Sequence, residues 1–135
     1  MRKFVIAGHG RFSSGLMSAI ELIIGKQDDV LVLDCYIDPK QNVEEDVEKI
    51  FDNVAEGTEL ICFTDMLGGS VNNIFMKYIN RSNIYIFTGS SLPVLLEAFS
   101  NKEEPWESLR AYILDIGNKD FCLCNDISKQ EEEDF

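Results

Sequence analysis

A chain of 135 residues with 45% apolar and 10% aromatic side chains suits one compact domain, and that apolar content excludes intrinsic disorder. Twelve basic against 24 acidic residues leave a net charge of -12. That balance excludes nucleic acid and anionic membrane surfaces as partners, because both are bound through Lys/Arg clusters and this chain has none.

Lys3–Ala7 (KFVIA) is a short apolar run stopped by Gly8-His9-Gly10, which predicts a buried strand and is too short for a signal-peptide core. From Ser14 to Ile24 the residues Leu16, Ala19, Ile20 and Ile23 recur at helical spacing, and Gly25 suits the helix end. Val30–Cys35 (VLVLDC) predicts a second strand. Asn42 and Glu45 form an N-cap pair ahead of a helix with Val43, Val47, Ile50 and Val54 on one face, closed by Gly57. Glu59–Thr64 (ELICFT) predicts a third strand, and Ser70–Ile79 a helix carrying Val71, Ile74, Phe75 and Tyr78. Ile84–Thr88 (IYIFT) predicts a fourth strand, followed by a helix with Leu92, Leu95, Leu96 and Phe99. Pro105 opens one more helical stripe, Trp106, Leu109, Ile113 and Ile116, ending before Gly117. Phe121–Cys124 predicts a last short strand.

Strands alternating with helices, each strand a continuous apolar run, mark a parallel sheet covered on both faces. Right-handed crossovers then give a doubly wound α/β fold, a three-layer sandwich. No run approaches the about 18–20 uncharged apolar residues that cross a bilayer, and the four cysteines lie in apolar segments instead of a secreted disulfide framework. The expectation is a cytoplasmic protein with a single domain over residues 1–128. The acidic segment 129–135, with Glu131-Glu132-Glu133-Asp134, reads as a disordered tail.

Open α/β sheets bind ligands beyond the carboxyl ends of their strands, where the strand order reverses. His9, the single histidine of the chain, follows the first strand directly, with a glycine on each side to turn the backbone and leave its ring uncovered. Asp65 follows the third strand. It reads equally as a helix cap or as a carboxylate holding one ring N–H of His9, which would aim the other ring nitrogen's lone pair outward as a nucleophile. Gly68-Gly69-Ser70 opens a helix whose free amides suit an anion, with Gly10 at the same edge, so these four residues are candidates for binding a phosphoryl group. No GxxxxGK[ST] loop is present, and Gly8-His9-Gly10 lacks the third glycine of a dinucleotide fingerprint, having Ser13 there. One histidine and no CxxC pair make a metal site unexpected, although Cys122 and Cys124 share a strand face; no cofactor is expected. For a cysteine nucleophile the one candidate at a strand end is Cys35.

Strand–GHG–helix at the N-terminus, DMLGGS with Asn72 and Asn73 after the third strand, and GSSLPVLLEAF after the fourth resemble the IIA component of mannose-family (mannose/fructose/sorbose) phosphoenolpyruvate-dependent sugar phosphotransferase systems. The resemblance runs from the first strand to the helix ending near Gly117. It implies a phosphocarrier: His9 accepts a phosphoryl group from HPr and passes it to a IIB protein, with membrane IIC/IID components served indirectly. Asp65 then matches the carboxylate on the other ring nitrogen, and Ser70 the helix start beside the phosphate. It also implies a homodimer in which a last antiparallel strand, here Phe121–Cys124, is exchanged between subunits. Met66-Leu67 departs from the Thr-Trp type pair that can stand there, and the absence of a IIB segment suggests a stand-alone IIA protein. Phe12, Met66, Leu67 and Leu92 are candidates for an apolar rim on which partners dock, and the negative charge favours partners with basic residues around their own histidine. Two alternatives share the fold: the phosphotransfer subunit of a dihydroxyacetone kinase, and a flavodoxin-like ligand-binding module.

Overall fold

The computed structural model describes residues 1–127. The expected acidic tail, 129–135, lies outside the described residues. Four strands, β1 (Arg2–His9), β2 (Val30–Cys35), β3 (Glu59–Thr64) and β4 (Ile84–Phe87), form one sheet in the order β2-β1-β3-β4. All three pairings are parallel. The central strands are the driest: Phe4, Val5, Ile6 and Ala7 of β1 and Leu60, Ile61, Cys62 and Phe63 of β3 are fully buried. Continuous apolar runs are what burial on both faces requires. β2 departs from that expectation, with Leu31 and Val32 exposed, because it lies at an edge of the sheet.

The helices are α1 (Phe12–Ile24), α2 (Val43–Asp52), α3 (Ser70–Met76), α4 (Leu92–Ser100) and α5 (Trp106–Lys119). On one face of the sheet, Val5 and Ala7 of β1 and Leu60 and Cys62 of β3 join Val47 and Phe51 of α2 and Val71 and Phe75 of α3 in one apolar cluster. α1 lies against β1 and β2, and its buried Ile20 stands apart from that cluster. Asn42 caps α2 as its sequence predicts, its side-chain oxygen accepting from the Glu45 amide at 3.1 Å.

Two ends differ from the sequence reading. α3 stops at Met76, three residues before the expected Ile79, because the chain tightens into i→i−3 bonds: Lys77, Tyr78 and Ile79 donate to Ile74, Phe75 and Met76 at 3.3, 3.0 and 3.3 Å. The tightening brings the Tyr78 ring flat onto Phe51 of α2, centroids 3.9 Å apart and planes 6° from parallel. α5 runs past Gly117 to Lys119, since a glycine inside a helix weakens it without stopping it.

The expected strand Phe121–Cys124 is not a strand in this single chain. Residues 121–123 have no regular structure, 124–127 form a helical turn, and Phe121 is fully exposed. A strand needs a neighbour to pair with its backbone, and none is supplied here. Met1–Leu92 and the residues from Pro93 onward form two compact units. In the second, Leu95, Ala98 and Phe99 of α4 and Leu109 and Ile113 of α5 are buried, and a Cβ on Gly117 would stand 3.6 Å from Val94 Cγ2.

Candidate functional site

β1 delivers the chain to His9, and β3 ends at Thr64, one residue before Asp65. Ala7 pairs with Thr64 across the two strands, so His9 and Asp65 leave the sheet side by side. The strand order reverses between these two strands, with β2 on one side and β4 on the other, which is where such sheets open a crevice. Gly8 makes the approach possible. A Cβ there would stand 2.9 Å from Phe12 Cγ and 3.1 Å from Asp65 Cβ. Gly10 then turns the chain with φ +56°.

His9 is held twice by one carboxylate oxygen. Its ring Nδ1 lies 2.7 Å and its backbone N 2.9 Å from Asp65 Oδ2, while Met66 N–H donates to Asp65 Oδ1 at 3.0 Å. An ionised carboxylate only accepts, so the ring proton sits on Nδ1 and the lone pair on Nε2. Ser70 Oγ lies 3.1 Å from Nε2, where its hydroxyl donates to that lone pair. The His9 side chain is 45% exposed and that of Asp65 12%, so the acid is tucked behind a ring that solvent reaches. Burial raises the pKa of Asp65, but the bonds from the His9 amide and ring, their charge attraction and the Met66 amide outweigh it. The carboxyl ends below its ordinary value and stays ionised at neutral pH.

The three glycines expected to offer amides to an anion have theirs engaged inside the chain. Gly10 N–H donates to Cys35 O at 2.7 Å, Gly68 N–H to Asn72 Oδ1 at 3.3 Å and Gly69 N–H to Met66 O at 3.2 Å. Their structural role is to shape the loop: Gly68 has φ +77°, and a Cβ on Gly69 would stand 2.8 Å from Met66 Cγ. Ser70, the first residue of α3, is the one of the four that reaches the ring. Asn72 and Asn73 clamp the loop: Asn72 Nδ2 donates to Thr64 Oγ1 at 2.9 Å, and Asn73 Nδ2 to Gly68 O at 3.2 Å.

Of the expected rim, Met66 and Leu67 are 56% and 78% exposed. Phe12 and Leu92 are only half-buried, and the Phe12 ring sits against Gly8. The sequence reading missed Tyr36, whose ring centroid lies 5.3 Å from that of His9. The signal was the pairing of β1 with β2, which sets Cys35 beside His9 and brings the next residue to the same edge. It also missed Asp34, whose Oδ1 accepts from Ser14 N–H at 2.9 Å in the first turn of α1.

Burial pushes the Cys35 thiol up to about 11, which leaves it protonated and unsuited to act as a nucleophile. Among the described residues no group of three His, Cys, Asp or Glu side chains could hold a metal ion, and no helix is long and apolar enough to cross a membrane.

Residues 3–111 match the family model described as PTS system fructose IIA component. The fold is similar to that of a protein from Klebsiella pneumoniae subsp. pneumoniae described as a phosphoenolpyruvate-dependent sugar phosphotransferase system permease. The two share 32% identity over 92% of this chain and 91% of that one, with a TM-score of 0.87. A phosphotransferase system component EIIA from Streptococcus agalactiae superposes with a TM-score of 0.81 at 23% identity, over 93% and 99% of the two chains. A mannose/sorbose specific IIA subunit from Enterococcus faecalis gives 0.79 at 19% identity, over 90% and 93%. No curated protein matches by sequence.

Proposed function

The chain belongs to the fructose IIA component family of phosphotransferase systems, and on that premise we propose that it carries a phosphoryl group on His9 Nε2 from HPr to a IIB protein. The observation that carries this reading is the double grip of Asp65 on His9, which leaves Nε2 as the lone-pair nitrogen on a ring that is 45% exposed.

In the transfer, the Nε2 lone pair forms a bond to phosphorus while the donor's nitrogen keeps the electron pair of the bond that breaks. Phosphoryl transfer asks little covalent help from its surroundings; positioning and charge stabilisation do most of it. Asp65 supplies both by fixing the ring and balancing the positive charge it gains. The Ser70 hydroxyl, now on Nε2, turns to a phosphoryl oxygen once that nitrogen is occupied. Gly10, Gly68 and Gly69 could lend amides only by releasing their internal acceptors, so their contribution is to hold the loop open. Met66 and Leu67, together with the half-buried Phe12 and Leu92, form the face on which HPr and the IIB protein dock in turn.

The protein works in the cytoplasm and serves IIC/IID membrane components through the IIB protein. It acts as a homodimer in which Phe121–Cys124 becomes a strand on pairing with the second subunit; the exposed Phe121 and Leu123 support that assembly.

The test is transfer of labelled phosphate from phosphoenolpyruvate through its kinase and HPr. The expected outcome is an acid-labile label on the parent chain and none on His9→Gln. Label that persists in His9→Gln would overturn the assignment. Transfer onward to a dihydroxyacetone kinase, and to no IIB protein, would move the chain to that system.

A further inference from the structure

We infer that the Tyr36 ring steadies the positive charge that the His9 imidazole acquires on phosphorylation, a role that rests on the phosphocarrier reading above. Tyr36 follows the last residue of β2, and the register that sets Cys35 beside His9 brings it to the same edge of the sheet. Its backbone has φ +63°. Among the described residues only Tyr36 and Asn83 combine a side chain with positive φ. Asparagine tolerates that region, whereas a bulky aromatic residue enters it against steric resistance. Burial does not account for the strain, since Tyr36 remains 50% exposed. What the conformation achieves is a contact: the ring centroid lies 5.3 Å from that of His9, with the planes tilted by 36°. Backbone strain that places one side chain on another at a reactive centre points to a role there.

The proton on Nδ1 remains against Asp65 while Nε2 takes the phosphoryl group, so the ring passes from neutral to a formal charge of about +1. Two polar groups meet that ring at its nitrogens, Asp65 at Nδ1 and Ser70 at Nε2. Tyr36 adds an aromatic ring within the roughly 6 Å over which a π-system attracts a cation. A half-exposed tyrosine therefore favours the charged, phosphorylated ring over the neutral one, and it slows hydrolysis, which returns the ring to neutrality.

The experiment phosphorylates the purified parent chain, Tyr36→Phe, Tyr36→Leu and Tyr36→Gly with phosphoramidate and follows decay of the phosphohistidine by phosphorus NMR at neutral pH. Tyr36→Leu and Tyr36→Gly should lose the phosphoryl group about two- to fivefold faster than the parent, the size of an exposed cation–π contact. Tyr36→Phe should match the parent. Urea unfolding accompanies the decay: Tyr36→Gly, freed of the strained conformation, should unfold at no lower urea than the parent, which separates lost charge stabilisation from lost fold. Equal decay of Tyr36→Leu and parent would overturn the inference and leave the phosphocarrier reading standing. Decay of Tyr36→Phe as fast as Tyr36→Leu would assign the effect to the hydroxyl and overturn the part given to the ring. Absence of label on His9 in the parent would overturn both.

Discussion

Asp65 Oδ2 accepts from the amide and the ring of the same residue, at 2.9 and 2.7 Å, so backbone and side chain of His9 are fixed by one atom. Replacing that acid by asparagine keeps the shape and removes the charge that selects the Nδ1–H tautomer. On the proposed reading, Asp65→Asn should lower the initial rate of His9 phosphorylation by about 10²–10⁴-fold, the upper end being the loss when a triad's orienting aspartate becomes asparagine. The same interaction gives stability a pH dependence of known sign. The folded carboxyl sits below its ordinary value of 3.8, so its stabilisation is complete above that value and is lost as pH falls through the folded one. Urea unfolding across the acid range should therefore show a shallower loss of stability in Asp65→Asn than in the parent. His9 and Asp65 were legible in the sequence because each follows an apolar strand run directly, where α/β sheets present their ligands. Tyr36 was not. Its nearness to His9 depends on which strands pair and in what register, and no local pattern carries that.

At the scale of elements, the loop between β3 and α3 is tied down by bonds from outside itself. Asn72, 2% exposed, donates to Thr64 Oγ1 at the end of β3 and accepts from Gly68 N–H in the loop. Thr64 in turn donates to Phe87 O at 3.3 Å at the end of β4. One buried amide thus joins the end of a strand, the glycine turn and the first turn of a helix. Asn72→Ala leaves those partners without it and should cost about 1–3 kcal/mol in unfolding free energy. In circular dichroism its thermal transition should move down while the folded spectrum is unchanged. Most elements were readable because their apolar period and their caps agree, as in α2 with Asn42 and Glu45. The end of α3 was not, since Ile79 continues the helical stripe and the stop comes from the i→i−3 tightening that sets Tyr78 against a different helix.

For the molecule as a whole, the parallel sheet was legible from uninterrupted apolar runs, and the exposure of β2 was not, because its composition matches that of the buried strands. Which strand lies at an edge is a property of the assembled order. The same gap explains Phe121–Cys124, whose composition suits a strand although a single chain gives it nothing to pair with. Accessibility also separates the thiols: Cys35 and Cys62 are buried, and burial raises the pKa of both, while Cys122 and Cys124 are exposed. In the separate folded subunit a thiol reagent should modify Cys122 and Cys124 promptly at neutral pH, and Cys35 and Cys62 only after denaturant is added, whereas pairing of the 121–124 segment in the proposed homodimer should slow the first two. Mass mapping of the modified peptides checks the order. If His9 carries the phosphoryl group as proposed, a chain with one histidine whose outward nitrogen opens on one rim has a single doorway for cargo. On the proposed reading, the protein that delivers and the protein that collects must alternate there, so neither gains by holding on. Throughput then rises as visits shorten, and a surplus of spent donor lingering at the threshold would throttle the relay without touching its chemistry.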